Sequence, residues 1–356
     1  MMKQQVVMVR ELRESVTEAL SAAGFDRLFC LTDSTTLQVC WPLLADMPVM
    51  RDACMITIGD TDENKTTESL IHVWESLQRG GATRHSLLVN LGGGMVTDLG
   101  GFAASTFKRG IKFINIPTTL LAQVDASVGG KTGINFGGLK NEIGVFNCSE
   151  RVLLASDFLG TLDDRNLLSG YAEMLKHGLL DCREHLYELL AFDPTVVRSG
   201  DAAARQGLVR MVGRSVAVKE RIVEEDPTER GIRKALNLGH TAGHAIESLA
   251  MQEGRTVLHG YAVAWGLVME LYLCVVRCGF PSVVFHQVEE YVREHYGKFY
   301  FECRHYDRLT GFMKHDKKNI GEAVNFTLLG DVGDIRINET CSVQEIEQML
   351  DYYREN

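Results

Sequence analysis

VNLGGGMVTDLGGFAAS, residues 89–105, reads as an apolar strand that runs into three glycines and then into a helix. Glycines let a backbone approach a phosphate closely, and a helix N-terminus offers free N–H donors and partial positive charge. The order here, G-G-G-x-x-x-D, differs from the usual G-x-G-x-x-G fingerprint, so the loop alone is a weak dinucleotide signal.

Outward from this stretch, short apolar runs alternate with helical patterns over the first ~160 residues, the signature of an α/β domain with a largely parallel sheet. The expected strands are FCLTD ending at Asp33, CMITIG at Gly59, SLLVNLG at Gly92, FINIP at Pro117 and VLLAS at Ser156. Beyond about Leu162 strand-like runs nearly vanish, and LLSGYAEMLKHGLL and ARQGLVRMVGRSVAV repeat apolar residues at helical spacing. This predicts a Rossmann-like α/β domain over 1–165 and an all-α domain over 166–356, with the active site in the cleft between them.

Composition sets the outer bounds. A length of 356 residues suffices for two domains, and 45% hydrophobic with 24% charged residues is ordinary for a globular chain. The net charge of −10 argues against nucleic acid, so an anionic ligand must meet locally gathered positive charge. MMKQQVVMVRELRES has no apolar core of a signal peptide. The longest apolar run, from Tyr261, is interrupted by Glu270 and reads as a buried helix rather than a membrane span. Nine dispersed cysteines without a C-x-x-C pair predict reduced thiols and a cytoplasmic protein.

Chemistry-bearing residues cluster in both halves. FKRG at 107–110, QVDASVGGKTGIN at 123–135 and GGLKN at 137–141 gather Lys108, Arg109, Lys131 and Lys140 among glycines. Solvated basic faces seldom carry so many glycines, which favours an anion pocket. GYAEMLKHG sets Glu173 and Lys176 one turn apart, which by itself reads as a surface ion pair. LNLGHTAGHAIES, 236–248, puts His240 and His244 on one helical face, and LHGYAVAWG adds His259. One carboxylate with two or three imidazoles is the make-up of a catalytic zinc site, yet spacing alone leaves core histidines equally open.

Together GGGMVTDLGG, PTTLLAQVDASVGGKTGIN, LKN, AEMLKHG, LNLGHTAGHAIE, LHGYAVAWG and HDKKN, spread in order from Asp33 to Lys318, resemble the 3-dehydroquinate synthase family of sugar-phosphate cyclases. The resemblance implies NAD, a divalent metal (usually Zn2+, with Co2+ possible) and a defined reaction. In that reaction 3-deoxy-D-arabino-heptulosonate 7-phosphate becomes 3-dehydroquinate plus phosphate, through transient oxidation, β-elimination, re-reduction and aldol closure.

Carried over by position, the resemblance implies Glu173, His240 and His259 as metal ligands. It implies NAD contacts at Asp33, Asp62, Lys65, Gly93, Gly94, Asp98, Thr118, Thr119 and Lys140, and at the turn Phe158, Leu159, Gly160 and Thr161. Substrate falls to Asp125, Lys131, Asn141, Lys176, Lys219, Arg233, Asn237, His244, Lys317 and Lys318, and to Arg109 reaching a neighbouring subunit's site in a homodimer. Acid and base roles fall on His244, Glu229 and Lys176. Glu247, on the same face as the histidines, is expected to orient a ligand rather than to be one. Two departures stand out: His259-Gly-Tyr261 replaces the frequent HGE, and Thr61-Asp-Glu-Asn-Lys65 replaces G-E-x-x-K. The rival readings are a cyclase making an inosose or valiolone skeleton, a metal-dependent polyol dehydrogenase, and a catalytically dead binding protein.

Overall fold

The computed structural model describes residues 4–137, 139–314 and 324–356. The chain divides into two compact units, Met1–Asp163 with Gly200–Val216, and Asp164–Ser199 with Ala217–Asn356.

The first unit holds β1 (Gln5–Met8), α1 (Leu12–Ala23), β2 (Leu28–Asp33), α2 (Ser34–Val39), β3 (Cys54–Ile58) and α3 (Thr67–Arg79), then β4 (Leu87–Gly92), α4 (Gly94–Thr106) and β5 (Lys112–Pro117). It continues with β6 (Lys131–Phe136), β7 (Leu139–Phe146) and β8 (Arg151–Leu154). Six strands form one sheet in the order β1-β8-β5-β4-β2-β3, every pair parallel. Alternate residues of these strands feed two separate cores. Leu28, Cys30, Val89 and Ile114 pack with α1, while Phe29, Leu31, Leu88 and Phe113 pack with α3 and α4. A parallel sheet buried on both faces reads as unbroken apolar runs, which is why its four inner strands, β2, β4, β5 and β8, are visible in the sequence.

From β2 the chain moves outward to β3 and then returns to lay β4 on the other side of β2. Such a reversal opens a crevice beyond the carboxyl ends of the two strands. Asp33 ends β2 there, and Gly92 ends β4 with Gly93 and Gly94 following.

β6 and β7 form a separate antiparallel ribbon that sequence periodicity does not announce. Every residue of β7 is exposed, so neither face imposes an alternating pattern.

The second unit is helical: α5 (Asp164–Asp181), α6 (Arg183–Leu190), the C-terminal part of α7 (Ala202–Glu225), α8 (His240–Gln252), α9 (His259–Leu273), α10 (Ser282–Tyr296), α11 (Tyr306–Lys314) and α12 (Val343–Glu355). One antiparallel hairpin, β9 (Val324–Leu329) with β10 (Ile335–Cys341), departs from the all-α expectation. Its first strand is largely buried and its second alternates half-buried with exposed positions, the pattern of a hairpin laid along helices.

Helix α9 is apolar on all sides and almost wholly buried. With the turn after it, His259–Cys278 is long and apolar enough to cross a membrane, but 67% of that window is packed inside the protein. Glycines let α9 lie backbone to backbone on its neighbours. A Cβ at Gly260 would stand 1.8 Å from the Ser169 carbonyl oxygen of α5, and one at Gly266 would stand 2.0 Å from that of Gly239, just before α8.

Candidate functional site

Close packing of α5, α8 and α9 brings three side chains together. Glu173 lies in the middle of α5 and is fully buried, whereas His240 and His259 are the first residues of α8 and α9. The Nε2 atoms of both histidines stand 3.4 Å from Glu173 Oε1. On their far sides, His240 Nδ1 lies 3.1 Å from the Leu238 carbonyl oxygen and His259 Nδ1 lies 3.2 Å from Glu247 Oε2. With Nδ1 turned to those partners, both Nε2 atoms face the same point.

Electrostatics at that point are strongly perturbed. Burial would raise the Glu173 carboxyl, but Lys176, His240 and His259 together hold it well below the usual carboxylate range. Lys176, one turn along α5 and equally buried, pairs with Glu173 Oε2. Burial pushes the His240 imidazole down to about 4, against the pull of Glu173. At His259 burial also lowers, yet Glu247 and Glu173 outweigh it and raise the imidazole to about 10. Neither oxygen of Glu173 has a hydrogen bond of good geometry among the described residues. A buried carboxylate left so, with two imidazole nitrogens aimed beside it, suits a divalent cation. The ligand atoms of Glu173, His240 and His259 lie within 4.8 Å of one another.

His244, a turn beyond His240, is exposed, with its ring centroid 5.3 Å from that of His240 and 5.9 Å from that of His259. Just before α8, Asp226 holds a loop together by accepting from the backbone N–H groups of Arg230, Gly231 and Arg233. In that loop Glu229 takes a left-handed φ of 60° and accepts from Asn237 Nδ2 at 3.1 Å. Arg233 is 1% exposed and donates to the Pro227 carbonyl, and Lys219 is also buried. Lys317 and Lys318 lie outside the described residues.

A residue that sequence reading missed fixes this geometry. Glu270 of α9 is fully buried and accepts from the N–H groups of Gly239 and Ala242 at 2.6 and 3.0 Å. No side chain of α8 caps that helix, so Glu270 caps it from the neighbouring helix and thereby sets His240. The signal was in plain view, because a lone carboxylate in an apolar helix must find donors.

In the first unit, the N-terminus of α4 has no side-chain cap, and a Cβ at Gly93 would come within 3.1 Å of Thr119 Cγ2. Asp33 caps α2, accepting from Thr36 N at 2.7 Å. Lys65 is buried, with its Nζ 2.6 Å from Asp98 Oδ2 and also bonded to Asn141, whose φ is 52°. Lys140 approaches Asp62 at 3.7 Å on the surface. Thr118 is buried, its N–H donating to the Gly92 carbonyl. Phe158 and Leu159 point into the core, leaving Gly160 and Thr161 exposed in that turn. Asp125 sits in a π-helical turn, Ala122–Ala126, a local form often found at functional sites. Lys131 is exposed at the start of β6. Arg109 is exposed at φ 67°, between Lys108 at 50° and Gly110 at 114°.

Two family models match nearly end to end, 3-dehydroquinate synthase N-terminal over residues 36–169 and 3-dehydroquinate synthase C-terminal over 170–319. A 3-dehydroquinate synthase of Parabacteroides distasonis is 52% identical over 356 residues, covering 100% of this chain and 99% of that one. Among solved structures, a 2-epi-5-epi-valiolone synthase from Streptomyces hygroscopicus with NAD+ and Zn2+ bound is similar at TM-score 0.88 and 26% identity, covering 100% of this chain and 98% of that one. A 2-deoxy-scyllo-inosose synthase complexed with carbaglucose-6-phosphate, NAD+ and Co2+ shares the fold at TM-score 0.80 and 22% identity, over 99% and 96% of the chains.

Replacing Glu270 by Ala opens a cavity and strands two helix N–H groups, so Glu270→Ala is expected to lose about 3 kcal/mol of stability. Denaturant unfolding of the second unit's helical signal measures it, and a loss below about 1 kcal/mol would contradict the capping role.

Proposed function

The chain belongs to the 3-dehydroquinate synthase family, and from that premise we propose that Glu173, His240 and His259 hold its divalent metal. The reaction is conversion of 3-deoxy-D-arabino-heptulosonate 7-phosphate into 3-dehydroquinate and phosphate. One observation carries the assignment: two anchored imidazoles converge at 3.4 Å on a single buried carboxylate oxygen. When bound, the metal supplies a Lewis acid for substrate oxygens, and NAD supplies a reversible hydride acceptor. The uncapped α4 N-terminus and the close-set Gly93 suit the NAD pyrophosphate, with Asp33, Asp62, Lys65, Asp98, Thr118, Thr119, Lys140 and the 158–161 turn around it.

The remaining roles fall to the chain's own groups. His244 is the proton-transfer residue, because it is exposed while its ring lies against the two ligand imidazoles. Glu229, oriented by Asn237, is a second proton acceptor, and the strained φ that holds it is the kind of local cost a functional site sustains. Lys176, Lys219 and Arg233 are buried cations that bind a doubly anionic substrate, with Asp125, Lys131, Asn141 and Lys317/Lys318 as further contacts.

For the quaternary state, the support is an exposed apolar ribbon. Phe136, Leu139, Ile143, Val145 and Phe146 of β6 and β7 are 51%, 59%, 36%, 38% and 43% exposed. Asn147, next to the ribbon, bonds Ser105 at 2.8 Å, close to the strained turn that presents Arg109. A second copy covering the ribbon makes a homodimer and takes Arg109 to the neighbouring site. Nine free thiols fit a cytoplasmic home.

Turnover of heptulosonate 7-phosphate, with no phosphate release from glucose 6-phosphate or sedoheptulose 7-phosphate, is the expected specificity; activity confined to either of those sugars would assign another cyclase. His240→Ala should lose bound metal and turnover together, whereas His244→Ala should keep the metal and lose about 10²–10⁴-fold in kcat. Equal metal loss in both variants would contradict the division of roles. Ile143→Asp should shift light-scattering mass from dimer to monomer and lower turnover with it, while a monomeric parent protein would refute the dimer.

A further inference from the structure

We propose that Glu247 is a positioning residue of the metal site, holding His259 so that its Nε2 faces the ion. The inference rests on the ligand reading of Glu173, His240 and His259. Glu247 lies two turns after His240 on α8, on the stripe that also carries His244, and is half-buried. Its Oε2 is 3.2 Å from His259 Nδ1, while His259 Nε2 points the other way, 3.4 Å from Glu173 Oε1. A carboxylate on Nδ1 selects the tautomer with its proton there, frees the Nε2 lone pair and makes that nitrogen a stronger donor.

The two imidazoles are therefore held unequally. His240 Nδ1 has a neutral backbone carbonyl at 3.1 Å, which no substitution removes, whereas His259 depends on one side chain. A competing arrangement exists, because His244, Glu247 and His259 also bring ligand atoms within 4.8 Å of one another. In that case Glu247 would bind the ion directly. Burial favours the first arrangement: Glu173 and His240 are buried, while His244 is exposed.

The test compares Glu247→Gln, Glu247→Ala and His259→Ala as full-length proteins loaded with zinc, and separately with cobalt. Metal affinity is read by competition with a chelator, ligation by the cobalt absorption spectrum, and folding by circular dichroism. Gln keeps an acceptor for Nδ1–H and loses the charge, and Ala loses both. The expected order is wild type tightest, then Gln weaker by about 10- to 100-fold, then Ala, with the cobalt spectrum of the Gln variant unchanged in form. Wild-type affinity in both Glu247 variants overturns the proposal. So does a Gln variant that loses metal as completely as His259→Ala with an altered cobalt spectrum, since Glu247 is then a ligand. Wild-type affinity in His259→Ala overturns the ligand reading itself, and is separable because it does not depend on Glu247.

Discussion

A fully buried carboxylate, Glu173, is the constraint around which the second unit is arranged. Taking such a charge out of water costs several kcal/mol unless positive charge or directed donors surround it. Lys176 supplies one neighbour from the same helix, and two imidazoles supply the others from α8 and α9. For three helices to bring these groups within bonding range their backbones must nearly touch. That requirement explains glycine at 239, 243, 260 and 266, where a Cβ would meet a neighbouring backbone or packed side chain at 1.8 to 2.9 Å. Glu270 then locks the helix whose first residue is His240. The tight packing thus serves the site as much as it serves stability.

In the first unit the same economy appears with opposite sign. The chain is acidic overall, yet its glycine loop, strained Lys108–Arg109 turn and Lys65 sit among backbone geometries that favour anions. Lys65 is engaged with Asp98 and Asn141, so its first effect is to pin the β7 ribbon to α4 and its second is charge. Among the described residues, five of the six non-glycine positions at positive φ, namely Thr61, Lys108, Arg109, Asn141 and Glu229, belong to or adjoin segments singled out for ligand binding. Local strain concentrated in this way is what a preorganised site stores.

Legibility in the sequence followed burial. Strands with both faces covered, β2, β4 and β5 above all, stand out as apolar runs. β1 is an edge strand with no fully buried residue, and β7 is exposed on both sides, so neither stands out as a buried apolar run. Residues 200–216 belong with the first unit although their helical pattern continues into the second, since no local signal marks which core a helix joins. Within the site, Glu173 and Lys176 look locally like a surface ion pair, and only tertiary packing buries them. Glu270 was noticed solely as a break in hydrophobicity, because a cap supplied by another helix has no sequence spacing.

Tyr261 stands where the family often has glutamate, and the structure gives that change a physical context. Its ring packs edge-on against Tyr296 and Trp265, at 5.1 and 5.9 Å, and Arg165 lies 5.8 Å above it. A phenol packs into that aromatic setting at little cost. The carboxylate beside His259 Nδ1 is that of Glu247 on α8, within the LNLGHTAGHAIE stretch that matches the family. The contact of Glu247 with His259 does not run through position 261, so tyrosine there is compatible with the convergence of Glu173, His240 and His259.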